Sequence, residues 1–207
     1  GCGRLRVGPG LGVGVWARLA LDEARVVELA DVVRDALGRA VVRETDSSKG
    51  SFGPEAIGDV LRAFRRAGVA PANAVKDALA RAAVFEAPRM TPKNIAGVME
   101  GYAAAGESPP WSVVSAAVDA VAREAVNMDA DEIADVVGAF ARARVCGKLS
   151  AVAKSGLDDA VAREAPRMYA RDVAAVTRAY ADCGEGAPGH GSIKPLVQAA
   201  MDTAASM

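Results

Sequence analysis

The sequence predicts an all-α protein, an α-solenoid of stacked antiparallel helix pairs with a period of about 38 residues. Three observations carry this reading. Phe52, Met90, Met128 and Met168 open four similar segments spaced 38, 38 and 40 residues apart, and a fixed period of this size marks stacked supersecondary units. Within the segments, apolar residues fall in columns at helical spacing. The composition, 51% hydrophobic but only 4% aromatic, leaves Ala and Val to fill the core, which suits closely packed helices better than a sheet.

The repeated segment sets the first helix of each unit, helix A. Ile57, Ile95, Ile133 and Val173 share one column, and three residues later come Val60, Val98, Val136 and Val176. Small residues follow at Ala63, Gly101, Ala139 and Ala179, then an aromatic column at Phe64, Tyr102, Phe140 and Tyr180, then a second small column at Ala67, Ala105, Ala143 and Cys183. In the second copy Ile95, Val98, Met99 and Tyr102 lie at i, i+3, i+4 and i+7, one face of an amphipathic helix. The aromatic column is read as core rather than as a platform for stacking bases. Thr91 is placed as N-cap and Pro92 at the first helical position, where its missing N–H is not needed. Gly68, Gly106 and Gly184 should end three of the four helices in the left-handed conformation; Arg144 replaces glycine in the third copy, which should end differently.

The second helix of each unit, helix B, is expected over residues 75–84, 113–125, 157–165 and 193–205. It carries a recurring Asp-Ala-x-x-Arg segment at Asp35, Asp77, Asp119 and Asp159, at a variable distance before helix A. Pro71, Pro109-Pro110 and Pro188 fall in the turns from A to B. Ahead of the four units near 52–89, 90–127, 128–167 and 168–207 stands a partial unit, 21–51, with a helix over 21–42 and a polar loop over 44–51. Residues 1–20 contain Arg4, Arg6 and Arg18, no acidic residue and many glycines, and read as a disordered leader with too few apolar contacts to offset backbone entropy. The array is expected to be cut through at both ends.

Several chemistries have no support in the sequence. Gly10, Gly12 and Gly14 lack the preceding strand and properly spaced acid of a dinucleotide loop. The lone histidine, His190, has no partner suggested by spacing for a catalytic triad or metal site. Cys2, Cys146 and Cys183 are scattered and odd in number, which points to a reduced compartment rather than a zinc or disulfide framework. No apolar run reaches the roughly 20 residues that span a bilayer. No enzyme, cofactor, metal or membrane association is therefore expected. A net charge of −1 gives no general pull on phosphate, so a nucleic-acid site would need a local basic stripe.

The segment Thr91-Pro-Lys-Asn-Ile-Ala-Gly-Val-Met-Glu-Gly-Tyr-Ala-Ala-Ala-Gly106, together with Pro109-Pro110-Trp111, resembles the octotricopeptide and heptatricopeptide repeats of organelle proteins in algae and protists. Similar arrays occur in FAST-kinase-like and RAP-domain proteins and in RNA-editing substrate-binding complexes. The resemblance covers residues 52–207. It implies a mitochondrial or chloroplast protein that binds single-stranded RNA, in company with other proteins of a ribonucleoprotein, and serves RNA processing, stability, editing or translation. An alternative from another class is a protein-binding scaffold of HEAT or armadillo type, such as a structural subunit of a mitochondrial ribosome.

Under the RNA reading, the first turn of each helix A presents variable side chains in a fixed frame. Glu55, Lys93, Asn94, Asp131, Glu132, Arg171 and Asp172 are the base-reading candidates, and Arg62, Arg65, Arg66, Arg142 and Arg178 the candidates for phosphate contact. The same polar first turns are also what any solvated helix start shows, with acids favoured by the dipole.

Overall fold

The protein is described from a computed structural model, which covers residues 30–46, 52–184, 187 and 189–205. The leader 1–20, residues 21–29 of the first helix and residues 47–51 of the polar loop lie outside this description. The described residues form helices α1 (Ala30–Asp46), α2 (Pro54–Arg66), α3 (Asn73–Glu86), α4 (Pro92–Ala105), α5 (Trp111–Glu124), α6 (Ala130–Arg142), α7 (Ala151–Glu164), α8 (Ala170–Cys183) and α9 (Ile193–Ala205), and no strand.

The helices sort into two layers. α2, α4, α6 and α8 pack each on the next in chain order and make layer A; α1, α3, α5, α7 and α9 do the same in layer B. Short 3-10 turns at Ala87–Arg89, Ala125–Asn127 and Ala165–Arg167 return the chain from B to A. Met90, Met128 and Met168 end those turns, and with Phe52 they are buried between the layers. The expected columns form the core. Ile57, Ile95 and Ile133 are fully buried, and all four aromatics, Phe64, Tyr102, Phe140 and Tyr180, are packed inside it. The second small column is graded: Ala143 is buried, Ala105 and Cys183 are half-buried, and Ala67 is exposed.

Close approach explains one small column directly. A Cβ on Gly101 would lie 2.9 Å from Gly58 Cα, and one on Gly58 would lie 2.6 Å from the Gly97 carbonyl oxygen. The backbones of α2 and α4 therefore touch, a separation only glycine permits.

Helix ends follow local chemistry, with two corrections: Gly184 takes φ of 57° but ψ of −134°, outside the left-handed helical region expected of it, and Arg144 replaces a glycine without changing the helix end. Thr91 caps α4 with Pro92 behind it, as expected. Gly68 and Gly106 take φ of 68° and 70°, but Arg144 takes φ of 59° and ends α6 in the same way. In all three helices the amide two residues past the last turn bonds back to the carbonyl of the aromatic column: Val69 to Phe64 at 3.2 Å, Glu107 to Tyr102 at 3.1 Å, and Val145 to Phe140 at 3.0 Å. The motif tolerates arginine because its hydrogen bonds offset a conformational cost of ~1–2 kcal/mol.

Two other boundaries move. α1 runs on through Glu44 and Thr45 to Asp46 instead of giving way to a loop; the Thr45 hydroxyl bonds back to the Val41 and Val42 carbonyls, 3.0 Å from each. α7 starts at Ala151, six residues before the expected 157, because the Ser150 hydroxyl accepts from the Ala153 amide at 3.1 Å. The recurring Asp-Ala-x-x-Arg segment is also out of register in one copy. α3 and α5 end at Glu86 and Glu124, so Phe85, not Arg81, is the structural equivalent of Arg123. The segment at Asp77 sits one turn earlier, which accounts for its variable distance from helix A.

Candidate nucleic-acid interface

The candidate site is the outer face of layer A, built from the first turn of each helix. The second helical position holds Glu55 in α2, Lys93 in α4, Asp131 in α6 and Arg171 in α8, and all four side chains are exposed. One variable polar group per unit thus stands at the same station along the stack. The charges alternate in sign from unit to unit.

The third helical position behaves differently. The Asn94 amide donates to the Thr91 hydroxyl at 3.4 Å, while the Thr91 amide donates to Asn94 Oδ1 at 3.2 Å. Glu132 and Asp129 make the same reciprocal pair at 2.9 and 3.2 Å. In α8 the Tyr169 amide donates to Asp172 Oδ2 at 2.9 Å, and Asp172 is buried. Asn94, Glu132 and Asp172 are thus occupied in closing helix starts, which leaves the second position as the exposed frame.

The arginine candidates divide in the same way. Arg65, Arg66 and Arg178 are exposed. Arg62 is half-buried and paired with Asp59 at 2.7 Å. Arg142 of α6 forms an ion pair with Glu100 of α4, tying neighbouring units. Arg171 lies 3.0 Å from Asp172 with its side chain 79% exposed. Acidic groups gather between these cations. Partial burial, then the carboxylates of Glu100 and Asp131, raise the pKa of Asp135 against the lowering effect of Arg142. The cations of this face are therefore interleaved with carboxylates in every unit and form no continuous basic stripe.

The sequence reading passed over Tyr169. It stands at the N-cap of α8, where the other units have Gly53, Thr91 and Asp129, and its side chain is 72% exposed two residues from Arg171. An exposed ring is suited to stacking a base. The available signal was an aromatic residue at a position that ordinarily takes a small polar cap.

Two structural features of the repeat were also missed. Arg123 donates to the carbonyls of Ala87 and Met90 at 3.1 and 3.0 Å, and Arg163 donates to Val126 at 2.6 Å and to Met128. In the second and third units the arginine of the recurring segment thus binds the turn that precedes the unit. Cys146 and Cys183 form a disulfide with a Cα–Cα distance of 5.5 Å, which corrects the expectation of three unrelated thiols. Their separation of 37 residues is one repeat, and one repeat returns the chain to a neighbouring station. Large apolar side chains are exposed mainly on layer B and its turns, at Phe85, Trp111, Val126 and Val152. Among the described residues no group of His, Cys, Asp and Glu is arranged to hold a metal ion, and no helix is long and apolar enough to cross a membrane. The backbone of His190 opens a short turn at His190–Ser192, and its side chain lies outside the description.

The chain matches no model of a known protein family, and no curated protein is significantly similar to it. The fold defines its class as an all-helical repeat protein.

Proposed function

We propose that this chain is an RNA-binding helical-repeat protein of a mitochondrion or chloroplast, acting on single-stranded RNA within a ribonucleoprotein. The observation that carries the reading is the exposed second-position column, Glu55, Lys93, Asp131 and Arg171, one side chain per unit. Carboxylates in that frame can accept from the amino groups of cytosine or adenine, and Lys or Arg can donate to guanine. Modular recognition of about one base per unit is how other helical repeats read RNA. The resemblance of residues 91–106 and 109–111 to organelle RNA-binding repeats supports the same reading. Tyr169 and Arg171 supply an exposed ring and an exposed cation at the start of α8, and Arg178 a further exposed cation for phosphate.

A second reading, a protein-binding scaffold, is favoured by the Glu100–Arg142 pair, which neutralises the middle of layer A, and by the apolar groups on layer B. Fluorescence polarisation with random single-stranded RNA over a salt series separates the two. The RNA reading predicts binding at low salt whose logarithm falls by about 0.7 per phosphate contacted for each decade of salt. Absence of binding at low salt would give the scaffold reading precedence.

A further inference from the structure

The disulfide is the covalent link between the third and fourth units, which packing and the Ser192–Asp158 hydrogen bond also hold, and this points to a role for the pair. Cys146 lies in the turn after α6 and Cys183 is the last residue of α8. At the same register the other junctions hold Ala70 with Ala105 and Ser108 with Ala143. The junction between the third and fourth units is therefore the one among these three that can be closed covalently.

We propose that Cys146 and Cys183 form a redox-dependent lock on the fourth unit, and that Cys183 is the entry site for a small-molecule disulfide. Cys183 is half-buried, whereas Cys146 is only 5% exposed. The Cys183 thiolate attacks one sulfur of the small disulfide and expels one small thiol. The Cys146 thiolate then attacks Cys183 Sγ, expels the second small thiol and leaves the protein disulfide. Two protein thiols lose two protons and two electrons, and the small disulfide is reduced to two thiols. In the reduced state the Cys183 thiol has a ready partner, the Val137 carbonyl oxygen 3.7 Å away, so the junction stays packed without the bond. The C-terminal end of α8 carries partial negative charge and disfavours a thiolate there. The pair thus responds slowly to its surroundings and acts as a lock rather than a rapid sensor. This role rests on the fold and is independent of RNA binding.

What the lock changes is local opening. With the bond closed, α8 cannot leave α6 without unfolding both; with it open, α8 and α9 can fray as the end of the described stack. The test uses the full chain carrying Cys2→Ser, equilibrated in oxidised or reduced glutathione, with intact mass, peptide mapping and amide hydrogen exchange. The expected result is a Cys146–Cys183 crosslink in the oxidised sample and exchange over residues 170–205 slowed about tenfold or more relative to the reduced sample, with residues 54–124 unchanged. Cys146→Ser should accumulate a glutathione adduct on Cys183, whereas Cys183→Ser should stay unmodified for far longer. A dithiol that persists in oxidised glutathione, an adduct that forms first on Cys146, or equal exchange in the two states would overturn the proposal.

Discussion

Arg123 on α5 donates to the carbonyl of Ala87, 3.1 Å away and one unit earlier in the chain, and to that of Met90, 3.0 Å away at the start of its own unit. A guanidinium satisfies the carbonyls of a turn that helix geometry leaves unpaired, and it does so across a unit boundary. Arg163 repeats the contact at the next boundary. Both side chains are partly exposed, so Arg163→Ala should cost about 1–2 kcal/mol in urea unfolding. Arg163→Lys should recover only part of that, because one ammonium cannot reproduce the fork. Equal stability of all three proteins would remove this arginine from the account of unit coupling.

Arg144 holds a positive φ of 59° that glycine holds in the first two units. Relief of ~1–2 kcal/mol of strain, less ~0.5–1 for the greater freedom of unfolded glycine, predicts that Arg144→Gly stabilises the protein by about 0.5–1 kcal/mol. Thermal unfolding measures it directly. A lower melting temperature would mean that the arginine side chain contributes more than its backbone costs.

The two tyrosines of the aromatic column should respond oppositely to loss of their hydroxyls. Tyr102 Oη is buried with no hydrogen-bond partner among the described residues, while Tyr180 Oη lies 3.4 Å from Ser192 Oγ, which is itself bonded to Asp158. Tyr102→Phe should be neutral or stabilising by about 1 kcal/mol, and Tyr180→Phe destabilising by about 1 kcal/mol. Burial first, and the nearby Glu107 carboxylate second, push the Tyr102 pKa from 10.0 up to about 12. The unfolded chain then releases this proton at lower pH than the folded one. Stability from Tyr102 is present below pH 10.0 and is lost as pH rises towards about 12, and Tyr102→Phe should flatten that fall. Unfolding curves between these pH values give the slope.

Glycines in α4 provide a matched pair. Gly101→Ala drives a methyl group to within 2.9 Å of Gly58 Cα and should cost about 1–3 kcal/mol. A Cβ on Gly97 meets nothing within 4 Å, so Gly97→Ala should stabilise by about 0.5–1 kcal/mol through helix propensity alone. Chemical denaturation of the two variants side by side is the check; similar losses in both would deny the close backbone contact.

Most of the fold was legible because period and spacing are direct records of packing. The columns at Ile95, Val98 and Tyr102 are what a stacked helix must bury, and the structure buries them. What escaped was set by long-range hydrogen bonding or backbone energetics. Arg144 looks like a broken glycine cap until its flanking amides are seen to bond regardless of residue type. The start of α7 was hidden by Lys154, Ser155 and Gly156, which dilute the apolar pattern while Ser150 caps the helix. The cysteine pair was in principle readable, since a separation close to the period puts two residues side by side. At the candidate site the frame was legible, but capping separated Asn94, Glu132 and Asp172 from Lys93, Asp131 and Arg171, and the exposed ring of Tyr169 had no repeat to announce it.

Tyr169→Ala should weaken RNA binding by about 1–3 kcal/mol if its ring stacks on a base, whereas Asn94→Ala should lower helix stability by about 0.5–2 kcal/mol with base preference unchanged. Titration of labelled single-stranded RNA against both variants, after circular dichroism shows each is folded, distinguishes the roles. Full affinity in Tyr169→Ala would take the ring out of the interface.

The most direct test of the central claim is the affinity for random single-stranded RNA at low salt, compared between the unaltered chain, Lys93→Glu with Arg171→Glu on layer A, and Lys194→Glu on layer B. The RNA reading predicts measurable binding by the unaltered chain, a loss of about tenfold or more in the double variant, and less than about twofold change in the layer B control. Binding that is absent at low salt, or that falls equally in both variants, would contradict it.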